Sequence, residues 1–263
     1  MVLETQSINN VKLIQFNDKE SLNAVGADDW KALKEEIESF ERSELKYLVI
    51  KHINGNYSAG AQLGENINAL MEDVNLAAKA LWNCKKPVIA VIDGVCAGAG
   101  ANMILFSDFI IATPSTRFIE VFARRGLVVD FGGSWTLPRI IGLQKAKELM
   151  MTTKEIDGQT MSELGMLYKL IEKENLDAEL SNLIELLNEQ SFISICMIKD
   201  QIKQGLDLTI SETLDLEGVN QNKRFVHSDA MEGMAAFVEK RKPNYKDILD
   251  LSLIHISEPT RPY

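Results

Sequence analysis

Asp130 stands in the run Gly126-Leu127-Val128-Val129-Asp130-Phe131-Gly132-Gly133. Apolar neighbours on both sides would strip water from its carboxylate. Desolvation disfavours the charged form and moves the pKa toward that of a proton acceptor at neutral pH. An aspartate ahead of Gly132-Gly133-Ser134 is also of the right type for a helix N-cap, so the residues alone leave both readings open. Upstream, Gly94, Gly98 and Gly100 are interleaved with Ala97, Ala99 and Ala101. Backbone NH groups where such a turn enters a helix lack internal acceptors, and they suit an anion or an oxygen on which charge develops. A tightly packed turn requires the same small residues. Cys96 lies in this turn, and burial as a small apolar residue is expected ahead of a nucleophilic role. Cys84, Cys96 and Cys196 have no metal-ligand spacing and are expected as reduced thiols of a cytosolic protein. His52, His227 and His255 are scattered, with no triad or zinc spacing.

These residues need elements to position them. Periodicity predicts strands over residues 11–16, 45–51, 87–91, 109–112 and 167–171. Helices are expected over 26–42, 65–82, 99–106, 134–141 and 144–151, with a small-residue loop at 55–64. Strands separated by helices imply crossovers and a largely parallel sheet, so the fold class is α/β. From Leu176 onward the pattern is helical, over 176–188, 192–204, 210–225 and 229–241.

The chain has 263 residues and a net charge of −10. Such a balance argues against a surface that tracks nucleic-acid phosphates. No apolar run reaches membrane-spanning length, and the first residues carry no signal-peptide pattern. A cytoplasmic protein with no membrane contact is the expectation.

Four blocks in order carry a resemblance: Ser21-Leu22-Asn23-Ala24; Asn56-Tyr57-Ser58-Ala59-Gly60-Ala61-Gln62-Leu63; the glycine-alanine turn through Gly142; and Phe237-Val238-Glu239-Lys240-Arg241-Lys242-Pro243. Together they resemble the crotonase (enoyl-CoA hydratase/isomerase) superfamily. The resemblance implies a spiral of ββα units over residues 1–190 and a C-terminal helical region over 191–250. It also implies an acyl-CoA substrate, with coenzyme A carried by the substrate, no further cofactor and no metal. The C-terminal helices are similar in placement to those that build homotrimers or dimers of trimers. Residues 251–263 lie beyond the usual end of the family and look like a non-native, cloning-derived tail.

Carried over residue by residue, the resemblance assigns the NH groups of Ala61 and Ala99 to a pair that holds a thioester oxygen as it becomes an enolate. Each such donor lowers a barrier by about 3 kcal/mol in comparable acyl-transfer sites. The two glutamates of the family's hydratases fall on Asn102 and Phe122, neither of which carries a proton; Glu120 would substitute only if the register slipped. Several isomerases of the family have an acid at the Asp130 place, which favours the proton-carrier reading over the cap. Double-bond isomerisation with Asp130 as shuttle is therefore the expectation. A hydratase, another crotonase-type lyase and a catalytically silent acyl-CoA-binding subunit are the alternatives. Coenzyme A contacts are expected at Leu22, Asn23 and Ala24, at Ala61, Gln62, Leu63 and Gly64, at Ala99, and at Phe237 and Lys240. Lys19, Lys240 and Arg241 are the candidate phosphate partners. Gln62 stands where the family often has Asp.

Overall fold

The computed structural model describes residues 2–62 and 67–245. Leu63 and Gly64, and the tail at 251–263, lie outside the described residues. The chain divides into two compact units, one of Met1–Cys84 with Val88–Ser181 and one of Lys85–Pro87 with Asn182–Tyr263. The resemblance implies a division after residue 190; these units part at 181, inside a helix.

In the first unit, β1 (Leu3–Ile8) and β2 (Val11–Phe16) form an antiparallel pair, and β1 is the outer strand. β3 (Tyr47–His52), β4 (Val88–Ile92), β6 (Phe109–Ala112) and β9 (Lys169–Leu170) extend that sheet in parallel, in the order β1-β2-β3-β4-β6-β9. β4 reads VIAVI and is buried throughout, as a strand covered on both faces must be. A smaller sheet joins β5 (Val95–Ala97), β7 (Arg117–Ile119) and β8 (Ile156–Asp157). Single bridges continue its edge, Ser58 to Cys96 and Val25 to Ala61. Each turn of the chain thus gives one segment to the large sheet and one to the small sheet, then a helix. This is the expected ββα spiral.

The helices of this unit are α1 (Ala27–Arg42), α2 (Ile67–Asn83), α3 (Ala99–Ile104), α4 (Gly133–Ile141), α5 (Leu143–Thr152) and α6 (Gly158–Glu163). α1 buries Trp30, Leu33, Ile37 and Phe40, spaced at three and four, against the large-sheet core that includes Ile14, Phe16, Leu48 and Ile50. α7 (Leu176–Asn188) crosses the division, and the second unit carries α8 (Phe192–Gly205), α9 (Ile210–Phe225) and α10 (Ser228–Glu239). α9 starts on a reciprocal cap, in which Thr209 Oγ1 accepts from Glu212 N and Glu212 Oε2 accepts from Thr209 N.

Several elements were not expected from periodicity. β1 is almost wholly exposed and polar, so no apolar alternation announces it. β5, β7 and β8 have two or three residues each, too few to show a period. The helix expected over 99–106 stops at Ile104, where the chain turns back toward β6.

Candidate active site

The site is built from three bends of the first unit. The first, residues 18–25, is closed on itself by Asp18, whose carboxylate accepts from Ser21 Oγ (2.7 Å) and from Glu20 N (3.0 Å). Leu22 and Asn23 are both left-handed, with φ 54° and 58°. This bend is stitched to the second. Asn23 Nδ2 donates to Asn56 O (2.7 Å), Ala59 N to Leu22 O (2.9 Å) and Ser58 Oγ to Asn23 O (2.8 Å). Two sequence blocks more than thirty residues apart thereby become one surface.

The second bend leads into Ala61. Its parallel bridge with Val25 is made by Val25 N to Gly60 O (2.8 Å) and Gln62 N to Val25 O (2.9 Å). In a parallel bridge the residue between those two bonds points its own NH to the other side, and Ala61 N donates to no acceptor in the described structure. Gly60 sits at φ +97°, and a Cβ on it would come within 2.9 Å of Ala97 O and 3.5 Å of Ala99 N. Only glycine lets the Ala61 bend come this close to the third bend.

In that third bend Ala97 N is bound to Ser58 O (2.9 Å) and Gly98 N to Ile119 O (3.0 Å). Ala99, the next residue and the first of α3, donates its NH to nothing among the described residues. The two NH groups assigned by resemblance thus have no acceptor among the described residues, on bends that touch at Gly60.

Asp130 is tied to the same helix. Asn102, one turn into α3, donates from Nδ2 to Asp130 O (2.9 Å), and Gly133 N donates to the same carbonyl (3.0 Å). Phe131 beside it is buried between Trp30 (5.5 Å between ring centres) and Phe106 (5.7 Å). The Asp130 carboxyl is partly buried, its buried Oδ1 has no hydrogen-bond partner among the described residues, and burial pushes its pKa up to about 6. The helix-cap reading fails: the cap of α4 is Gly132, with no side-chain bond. The expected source of dryness is also corrected. Of the expected apolar neighbours Val128, Val129 and Phe131, Val128 is 87% exposed and Val129 half-buried, and Phe131 is the one that is buried.

Other expectations divide. Leu22, Ala24, Gln62, Ala61, Ala99 and Asp130 all belong to the first unit, whereas Phe237 and Lys240 are exposed residues of the second. Arg241 is not a free phosphate partner, because its guanidinium is bidentate on Glu232 (2.6 and 3.0 Å) and also binds Glu239 (2.6 Å). Cys96 is fully buried, which pushes its thiol up and leaves no nucleophile. Glu120, treated in sequence as a substitute base, is 0% exposed. Among the described residues no cluster suits a metal ion, and no helix is long and apolar enough to cross a membrane.

A two-sheet ββα spiral with touching glycine bends and a buried acid defines a crotonase-type protein. The chain belongs to the enoyl-CoA hydratase/isomerase family, whose family model matches residues 6–248. It is 29% identical to 1,2-epoxyphenylacetyl-CoA isomerase of Escherichia coli K12, over 89% of this chain and 94% of that one. It is 31% identical to trans-2-decenoyl-[acyl-carrier-protein] isomerase of Streptococcus mutans UA159, over 90% and 95%. An enoyl-CoA hydratase subunit structure from Geobacillus kaustophilus HTA426 superposes with a TM-score of 0.88 at 26% identity, covering 94% of this chain and 98% of that one. Hydratases and isomerases both stand among these relatives.

Proposed function

We propose that the protein is an enoyl-CoA isomerase-type enzyme that shifts a double bond along an acyl-CoA thioester. The observation that carries the reading is the Asp130 carboxyl: partly buried, without a partner on Oδ1, raised to about 6, and bound through Asn102 to the helix that begins at Ala99. The Ala61 and Ala99 NH groups hold the thioester oxygen. Asp130 takes a proton from one carbon, the oxygen carries the resulting enolate charge, and Asp130 returns the proton two carbons away. One base suffices because no water is activated. By the resemblance, Asn102 and Phe122 fall where the family's hydratases carry their two glutamates, which weighs against hydration. The Escherichia coli and Streptococcus mutans relatives, both named as isomerases, support the same reading.

A spectrophotometric assay with purified protein tests it. Conversion of a 3-enoyl-CoA to the 2-enoyl-CoA, without hydration of the latter, is the expected result; hydration as the faster reaction overturns it, and binding without turnover points to the silent subunit. The apolar side chains left exposed on α8, α9 and α10, among them Ile198, Ile202, Ile210, Leu214 and Phe237, support self-association through the second unit, as a trimer or a dimer of trimers. Light scattering reads that directly, and a monomer at micromolar concentration would end it.

A further inference from the structure

The helices of the second unit line a cavity of about 320 Å³ that the proposed chemistry does not use. Its wall on α9 departs from the usual pattern of a packed helix. Ile210, Leu214, Val219 and Phe225 of α9 are exposed, and the residues that the helix buries are Asn220 and Arg224, each 8% exposed. Four apart, these two stand one above the other on one face, and both line the cavity. A helix ordinarily buries apolar side chains and turns its polar ones to water. Burying an amide and a guanidinium costs stability unless they find partners.

Only part of the pair finds them. Arg224 Nη2 donates to Asp229 Oδ2 (3.0 Å) and to Ser191 Oγ (3.2 Å), and Ser191 Oγ donates to the same carboxylate oxygen (2.5 Å). These bonds tie α9 to Ser191, the N-cap of α8, and to the first turn of α10. Nε and Nη1 of Arg224 are shut off from solvent and reach no acceptor among the described residues. The Asn220 side chain makes no hydrogen bond among the described residues either. Other parts of the wall are apolar, at Met197, Phe225 and Met234.

We propose that this cavity binds a small carboxylic acid of fatty-acid type, its ionised carboxylate held by Arg224 and Asn220 and its tail against Met197, Phe225 and Met234. A carboxylate brings acceptor oxygens only, which is what the unpaired N–H groups lack, and its bonds to a guanidinium are charge-assisted. Arg224 is held at Nη2 alone, so its guanidinium can swing the unpaired N–H groups onto an acceptor that enters. Inorganic phosphate would bring charge on every side to a wall of methionine and phenylalanine and lose its hydration there without return. A fatty acid carries charge at one end only. The volume is near the lower limit of small-molecule pockets, about 300–1,000 Å³, which sets a short or medium chain. Methionine is unbranched and adapts to such a tail. The site shares no residue with Ala61, Ala99 and Asp130, which belong to the first unit.

Titration calorimetry on the full chain tests this, with octanoate as the probe, 1-octanol as its uncharged counterpart and inorganic phosphate as an anion without a tail. Octanoate should bind one per chain, about tenfold more tightly than octanol, and phosphate should give no binding heat. Asn220→Asp keeps the size of the side chain and sets a negative charge in the wall. It should weaken octanoate by more than about tenfold and leave octanol unchanged, a split that a merely structural defect does not produce. Arg224→Gln should act in the same sense; since Arg224 also ties α8 to α10, Asn220→Asp decides the matter where Arg224→Gln fails to fold. The octanoate heat should persist in the presence of a saturating acyl-CoA thioester. No octanoate binding at millimolar concentration, equal affinity in Asn220→Asp, phosphate binding as tight as that of octanoate, or displacement of octanoate by the thioester overturns the proposal. Binding is read without turnover, so a chain found inactive as an isomerase leaves this result standing.

Discussion

Two buried acidic regions of the first unit have opposite environments. Asp93, after β4, is 3% exposed, and its carboxylate is saturated with donors: Thr113 Oγ1 (2.5 Å), Ser115 Oγ (2.6 Å) and Lys173 Nζ (2.6 Å). Burial alone would raise its pKa, yet these bonds outweigh burial and hold it down at about 2. Asp130 is half-buried and Glu120 wholly buried, neither has a comparable set of donors, and burial raises them to about 6 and about 8. The type of side chain is the same or nearly so; what differs is whether the fold supplies hydrogen-bond donors to the charged form. A satisfied carboxylate fixes a chain crossing, while an unsatisfied one retains an affinity for protons that catalysis can use.

Substitutions can break that contrast. Asp130→Asn should lower isomerisation by about 10³-fold, in the range of a lost general base, with the thermal melting curve unchanged. In the wild type, kcat/KM should fall as the pH drops through about 6, because Asp130 must be ionised to accept a proton. Ala99→Val should lower kcat by about 10²-fold with the fold retained, because the NH stays but the thioester is pushed off it. Full activity in either variant removes that residue from the site.

Asp93→Ala should do the reverse. Turnover per folded molecule is retained, while urea denaturation shows a loss of about 1–3 kcal/mol from the stranded donors. The pH dependence has a defined sign. A depressed carboxylate stabilises the fold above its ordinary pKa near 3.8, and that contribution is lost as the pH falls toward about 2. Asp93→Asn should therefore flatten the acid limb of stability between about pH 4 and 2. A raised acid works in the opposite sense: the contribution of Glu120 is present below its ordinary value near 4.5 and is lost as the pH rises through about 8. Glu120→Gln should accordingly gain stability over the wild type across that interval; parallel stability curves would show that the two regions do not differ.

Much of the architecture was legible in the sequence because long amphipathic or wholly apolar runs carry their own period. Residues 11–16, 109–112, 176–188 and 210–225 fold as the pattern reads them. Segments of two or three residues have no period to read, and the small sheet is made of little else. The glycine bends and the candidate acid were visible as residue types, and the resemblance joined them.

What side chains do to one another was not visible. Whether Asp130 capped a helix or kept a bare oxygen depended on Gly132 taking the cap and on Asn102 reaching the Asp130 carbonyl across 28 residues. Glu120 and Asp93 are both plain acids in the sequence, and only packing left the oxygens of one without a well-formed hydrogen bond and surrounded the other with donors. Local periodicity is written residue by residue along the chain, and so sequence determined the elements. Proton affinity depends on the few groups within hydrogen-bonding distance, and those arrive from distant segments, so the tertiary structure alone decided which carboxylate could do chemistry.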